Sequence, residues 1–76
     1  MPFVQVKVIE GVFGPEEKDR IIQAVNDAMI SVEGEAMRGV TWVAIEDVAS
    51  GSWAIGGTPL TTADVTSMRT ATPATV

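Results

Sequence analysis

The chain has 76 residues, of which 46% are hydrophobic, and its formal net charge is −5. A chain of this length forms at most one small domain with a thin core, and its acidic balance argues against a nucleic-acid interface, which needs a basic surface. It contains neither Cys nor His, which excludes disulfides, a thiolate nucleophile and the most common side-chain base and metal ligand.

The first predicted element is a β-strand over residues 3–9, where side chains alternate with a period of two. Successive side chains of a strand point to opposite faces. One face therefore carries Val4, Val6 and Val8, and the other carries Phe3, Gln5, Lys7 and Ile9. The strand begins directly after Pro2, so we expect Pro2 to lie at an edge or end of a sheet.

Pro2 is a candidate general base. A small residue after the initiator Met1 is typical of chains from which an aminopeptidase removes that methionine, and removal leaves Pro2 with a free secondary amine. Amino-terminal amines titrate near ~8 in water. An apolar pocket or a nearby cation lowers this pKa, because both disfavour the charged form, and brings it close to neutral pH, where proton transfer is most effective.

An α-helix is predicted over residues 15–32. Pro15 suits the first helical position, and Glu16 and Glu17 favour the positive end of the helix dipole. Apolar residues then recur at the spacing of one helical face, which comprises Ile21, Ile22, Val25, Ala28, Met29 and Val32. Gly34 is predicted to end the helix.

A second strand is predicted over residues 40–45 after a short loop. A strand, a helix and a strand with short connections form a βαβ unit, in which the two strands are parallel. Residues 50–57 predict a turn and a short hairpin rather than a third full strand. Thr62 suits the start of a brief helix, while the tail, residues 63–76, is expected to be partly extended or frayed.

The predicted fold class is α+β, with residues 1–76 as one domain. A two-stranded sheet with one helix cannot close a hydrophobic core, and 46% hydrophobic residues is generous for a monomer of this size. We therefore expect at least two copies to pack together and to bury apolar faces between them.

The order of these features resembles the 4-oxalocrotonate tautomerase family. The resemblance rests on Pro2 before a strand, on Glu10-Gly11 after it, on the amphipathic helix and second strand, and on Trp53-Ala54-Ile55-Gly56-Gly57. It runs from Pro2 to about Thr62. No single motif is specific, but their order and spacing in so short a chain are a strong signal.

The resemblance implies a βαβ protomer with a C-terminal hairpin that pairs into four-stranded sheets, with three dimers in a homohexamer. It implies a cofactor-free isomerase in which the Pro2 amine moves a proton between carbons of an enol or unsaturated 2-oxo acid. It also implies that the hairpin and tail reach neighbouring subunits, so that each pocket is shared. Neither a metal nor another cofactor is expected.

The sequence departs from the family where members that act on dicarboxylates resemble one another. Those members have an Arg directly after the Glu-Gly pair and another early in the second strand, where this chain has Val12 and Thr41. Neither residue can form a bidentate pair with a carboxylate. A shortened, less charged or differently oriented substrate is therefore expected.

Three further residues are candidates for substrate binding. Trp53 matches the family's aromatic pocket wall, with Ile55 in the same motif, although a large aromatic also suits a subunit interface. Arg38, just before the second strand, is either a solvated surface charge or a substitute carboxylate binder, and Arg69 is a weaker candidate for that role. Trp42 is expected in the core or at an interface.

Other functions remain open at this stage. The two departures also fit a non-catalytic assembly subunit of the same fold, and a protonated Pro2 would suit a hydratase, dehalogenase or decarboxylase. A small-molecule binding module is a further alternative. No apolar run approaches the ~20 residues of a membrane span, and no signal-peptide pattern is present. We therefore expect a cytoplasmic protein without membrane or nucleic-acid partners.

Overall fold

The computed structural model describes residues 1–70 of the chain. In chain order the elements are β1 (Phe3–Ile9), α1 (Pro15–Glu33), a 3₁₀-helix (Glu35–Val40), β2 (Trp42–Val48), β3 (Trp53–Ile55), β4 (Thr58–Leu60) and α2 (Thr62–Thr70). The predicted β-α-β order is confirmed. The tail is helical as far as Thr70 rather than extended, and residues 71–76 lie outside the described part of the chain.

The strands β1 and β2 pair in a two-stranded sheet. Near one end the Trp42 N–H donates to the Pro2 carbonyl at 2.9 Å, and near the other the Glu10 N–H donates to the Val48 carbonyl at 2.9 Å. Residue numbers rise together along both strands, so the pairing is parallel, as expected for strands joined through a helix. β2 begins later than predicted because Glu35–Val40 forms the 3₁₀-helix.

The chain divides into two compact units. The first unit comprises Met1–Lys7 and Phe13–Glu46, and therefore contains α1, the 3₁₀-helix and the beginnings of β1 and β2. The second unit comprises Val8–Val12 and the chain from Asp47 onward, and contains the hairpin and α2. The single domain over residues 1–76 stays a prediction.

Local signals at both ends of α1 explain why its bounds match the predicted helix. Pro15 occupies the first helical position, and the Glu17 carboxylate accepts a hydrogen bond from the Gly14 N–H at 3.4 Å. At the other end Gly34 has a positive φ of 103° and donates its N–H to the Ile30 carbonyl at 2.9 Å. This conformation favours glycine, and the helix ends there.

The buried face of α1 differs from the predicted one toward the end of the helix, where Ala28 and Val32 are both exposed. Val32 was expected on the apolar face but is 89% exposed, whereas Ile30 is only 6% exposed. Residues two apart on a helix point in directions that differ by about 200°, so one of these two side chains faces inward and the other faces outward. The prediction for Val32 is wrong for this reason.

The described part of the chain has a small hydrophobic core. Its buried hydrophobic side chains are Val8, Ile9, Val12 and Ile30. Large hydrophobic side chains are exposed elsewhere, namely Met1, Phe3, Val32, Val40, Trp42, Ile55 and Met68. Residues 1–70 thus hold apolar side chains that the protomer itself does not bury.

In the second unit, β3 and β4 form the antiparallel hairpin that the sequence predicts. Trp53 lies opposite Leu60, and the strands are joined through Gly56 and Gly57, with φ values of 57° and 82°. A two-residue turn with both φ values positive matches the twist of the flanking strands, and glycine adopts it without strain.

The helix α2 is attached to the turn that follows β1. The Thr62 hydroxyl donates to the Glu10 carbonyl, and the Thr62 N–H donates to the Ser50 Oγ at 2.9 Å. Near the other end of α2, the Arg69 guanidinium donates to the Val12 carbonyl at 2.9 Å. Hydrogen bonds from both ends of the helix therefore hold it against residues 10–12.

Gly11 lies at the centre of that attachment. Its φ is +80°, a left-handed conformation that side chains other than glycine's rarely adopt. A Cβ atom added at this position would also lie 3.0 Å from the Thr62 Cγ2 atom. Both the backbone conformation and the close approach of α2 thus account for glycine after Glu10.

Within residues 1–70, none of the helices has the length and apolarity needed to cross a membrane.

Candidate active site

Pro2 lies at the start of the parallel sheet, in the first unit. Its side chain is half-buried, while Met1 before it is 76% exposed. The Pro2 carbonyl accepts the hydrogen bond from the Trp42 N–H, which ties this residue to the first residue of β2. The backbone of Pro2 is therefore held by the sheet, and the peptide bond that an aminopeptidase would cleave lies beside an exposed side chain.

An aromatic pair adjoins Pro2. The rings of Phe3 and Trp42 meet edge to face, with centroids 6.2 Å apart and an interplanar angle of 80°. Phe3 is 61% exposed and Trp42 is 58% exposed, so Trp42 is not a core side chain of the protomer, one of the two placements expected for it. The sequence did not predict this pair, because it depends on the register of the two parallel strands and on the start of β2 at Trp42 rather than at residue 40.

Arg38 is held by two carboxylates of the first unit. Its guanidinium contacts Glu35 at 2.7 and 3.2 Å and Asp27 at 2.9 Å. The hydrogen bonds to Glu35 and then to Asp27 raise the pKa of Arg38, and the hydrogen bond from Arg38 lowers the pKa of the Glu35 carboxyl. The side chain of Arg38 is 44% exposed. Its role as a substrate carboxylate binder stays a prediction.

Replacing Arg38 by Met should raise the pKa of Glu35 toward its ordinary value, because the hydrogen bond that favours the ionised carboxyl is lost. The lowered pKa implies a contribution to stability that is present above the ordinary carboxyl pKa and is lost as pH falls through the lowered value. A carbon-detected NMR titration of the Glu35 carboxyl measures the change. Arg20→Met is the matched control, since Arg20 contacts Glu17 instead. An unchanged Glu35 titration in Arg38→Met would contradict this assignment.

Val12 and Thr41 are the two positions at which the family resemblance implies a carboxylate-binding arginine. Both have structural roles in this chain. The Val12 side chain is 8% exposed, within the second unit. In the first unit, the Thr41 hydroxyl lies 2.8 Å from both the Glu33 carboxylate and the Met37 carbonyl, so its proton is directed to the end of α1 or the 3₁₀-helix. Neither side chain supplies a cation.

Trp53 and Ile55 lie in the second unit, on β3. Trp53 is half-buried, whereas Ile55 is 66% exposed beside the Gly56-Gly57 turn. The structure therefore brings Pro2 and Arg38 into one unit and Trp53 and Ile55 into the other. Their roles in binding substrate stay predictions.

Two further features bear on the site. A shallow groove in the first unit is lined by Phe13, Glu17, Arg20, Ile21 and Ala24, and contains none of the predicted site residues. Among residues 1–70, no group of acidic side chains is arranged to hold a metal ion.

Comparisons with known proteins agree with this architecture. The model of the family described as Tautomerase enzyme matches residues 2–63. No curated protein matches the chain. Among solved structures, one of the 4-oxalocrotonate tautomerase isozymes from Methylibium petroleiphilum has a TM-score of 0.69 and 36% identity, over 76% of this chain and 90% of that chain. DmpI from Helicobacter pylori also has a TM-score of 0.69, with 28% identity over 78% of this chain and 90% of its own.

Proposed function

Because the chain belongs to the tautomerase family, we propose that it is a cofactor-free isomerase that uses the Pro2 amine as a general base on an enol or unsaturated 2-oxo acid. The observation that carries the proposal is the extent of the family match, which begins at Pro2 itself and continues through the hairpin to residue 63. The likeness to a 4-oxalocrotonate tautomerase isozyme, at 36% identity, supports the same reaction class.

The proposed chemistry is a proton transfer without any change in oxidation state. The neutral Pro2 amine accepts a proton from a carbon or an enol oxygen of the substrate, and the resulting ammonium returns a proton to a different atom. A general base of this kind contributes about 10²- to 10⁴-fold to a rate. The absence of His and Cys from the sequence leaves Pro2 without the two most common competitors for this role.

Arg38 is the proposed ligand of the substrate carboxylate. Its planar guanidinium suits a bidentate carboxylate pair, and its partial exposure gives solvent access. Asp27 and Glu35 already contact the Arg38 guanidinium, so a substrate carboxylate that binds it would displace one of them. An uncharged residue at position 38 should then raise KM more than it lowers kcat.

Trp53 and Ile55 are the proposed apolar wall of a pocket on another protomer. The proposal is supported by the exposure of Ile55 at the turn of the hairpin, which leaves it available to a neighbour. A homohexamer built as a trimer of dimers, with four-stranded sheets, would place Ile55 against such a neighbour. The cytoplasm stays the predicted location.

The test is to mix the purified protein with a simple enol such as phenylenolpyruvate and to follow its ultraviolet absorbance, after the intact mass has shown that Met1 is absent. Conversion faster than in buffer, with a rate that rises with pH as the amine loses its proton, is expected. A rate that falls over the same pH range would indicate that Pro2 acts as an acid. If several enols are not converted although the N-terminus is free, the chain is a non-catalytic subunit of this fold.

A further inference from the structure

The rings of Phe3 and Trp42 form an exposed aromatic pair at the start of the parallel sheet. We propose that this pair is a substrate subsite for an aromatic ring, so that the natural substrate is an aryl-substituted enol or 2-oxo acid with a single carboxylate. This inference rests on the proposed function, because it extends the site around Pro2.

The first argument is position. Phe3 is covalently joined to Pro2, and Trp42 is hydrogen-bonded to the Pro2 carbonyl through its backbone N–H at 2.9 Å. The two rings thus belong to the residues that adjoin Pro2 along the chain and across the sheet. A substrate whose ring is held by the pair stays close to the amine. Holding the two reacting groups together accelerates the reaction relative to an encounter in solution.

The second argument is the geometry of the pair. In the edge-to-face arrangement, with an interplanar angle of 80°, the two rings do not stack face to face, and more than half of each side chain is exposed. Aromatic rings prefer offset-stacked or edge-to-face neighbours 4.5–7 Å away. A third ring between Phe3 and Trp42 can be offset-stacked on one ring and edge to face with the other. A carboxylate in the same place would lose its hydration without gaining a hydrogen-bond donor from either ring.

The third argument is charge. Arg38 is assigned to the single carboxylate of the proposed substrate, and Arg20, which lies on α1 as Lys18 does, contacts Glu17 at 4.0 Å. Lys7 lies on the same strand face as Phe3 but four residues further on, which is about 13 Å along an extended strand. The surroundings of the pair in this unit therefore favour a neutral ring over a second carboxylate.

Binding can be tested without turnover, using 3-phenylpropionate and propionate as unreactive ligands that differ by the ring. The indole N–H signals of Trp42 and Trp53 are distinguished in a ¹H–¹⁵N spectrum with the Trp42→Phe variant. We expect 3-phenylpropionate to shift the Trp42 signal in a saturable manner, and propionate to leave it unchanged at the same concentration. A Trp42 signal that does not respond to either acid would overturn the subsite, whatever the activity.

Turnover provides the second measurement. We expect Trp42→Leu and Phe3→Leu to lower kcat/KM for phenylenolpyruvate about five- to tenfold relative to an alkyl enol acid. Val32→Ala is the matched control, because it removes an exposed apolar side chain from α1 and should leave that ratio unchanged. A Trp42 shift without conversion of any enol would keep the subsite and reject the proposed function.

A second copy of the chain is the competing occupant of the pair. Sedimentation of Trp42→Leu and of the unmodified chain distinguishes the two cases. The proposal expects equal sedimentation coefficients and a changed substrate ratio. A smaller assembly with an unchanged substrate ratio would show that the rings support an interface between copies, and would overturn the subsite.

Discussion

Blocking the Pro2 amine should lower enol turnover by about 10²- to 10⁴-fold, the contribution expected of a general base. The cleanest change is a chain that keeps an additional residue before Pro2, because Pro2 then remains in place but becomes an amide without basicity. The Trp42 N–H still has the Pro2 carbonyl as its acceptor, so the sheet is not altered at this point. The measurement is kcat/KM for phenylenolpyruvate with the intact mass of each sample recorded.

Pro2→Ala provides the comparison for this experiment. Its free N-terminus retains a primary amine and the carbonyl that Trp42 contacts, but loses the ring that fixes the amine's direction. We expect an intermediate rate, with thermal unfolding of both variants close to that of the unmodified chain. Equal turnover by the blocked and the free forms would rule out the Pro2 amine as the base.

Ile30→Ala should be the most destabilising single truncation in α1, with a loss of about 3 kcal/mol in the free energy of unfolding. Ile30 is 6% exposed and is one of four buried hydrophobic side chains in residues 1–70. A core of this size has few neighbouring side chains that can move to fill the resulting cavity. The carbonyl of Ile30 continues to accept the Gly34 N–H, so the end of the helix is retained.

Val32→Ala is the matched control for Ile30→Ala. It also shortens an aliphatic side chain of α1, but at a position that is 89% exposed, and should change stability by no more than about 0.5 kcal/mol. Urea unfolding measures the free energy of unfolding of both variants. The protein concentration is kept equal, because association of copies also changes the apparent stability. Similar losses in the two variants would mean that Val32 is buried by another chain in solution.

The sequence predicted the helix and the first strand well because their signals are local. Pro15 and Gly34 act within one turn of the ends of α1, and the alternation in residues 3–9 needs no distant partner. The start of β2 was less accessible. The predicted strand began at Val40, but Val40 is the last residue of the 3₁₀-helix, and β2 begins only at Trp42.

The candidate site was predictable to a smaller extent. Pro2 could be placed at the end of a sheet from its position before β1. The contacts of Arg38 could not be predicted. Asp27 is 11 residues earlier in the chain, and the two side chains meet only because the chain turns between α1 and the 3₁₀-helix. The edge-to-face meeting of Phe3 and Trp42 likewise depends on the register of the parallel strands, which sequence spacing leaves undetermined.

The attachment of α2 has a consequence for the order of folding. The hydrogen bonds from Thr62 to Glu10 and from Arg69 to Val12 join residues 52 and 57 positions apart. A nascent chain that has reached only Glu46 lacks both donors, although it already contains all of the first unit. Contacts of such long sequence separation slow folding, because a large loop must close before they form. We therefore expect the two hydrogen bonds that hold α2 against residues 10–12 to form only after Arg69 has been synthesised.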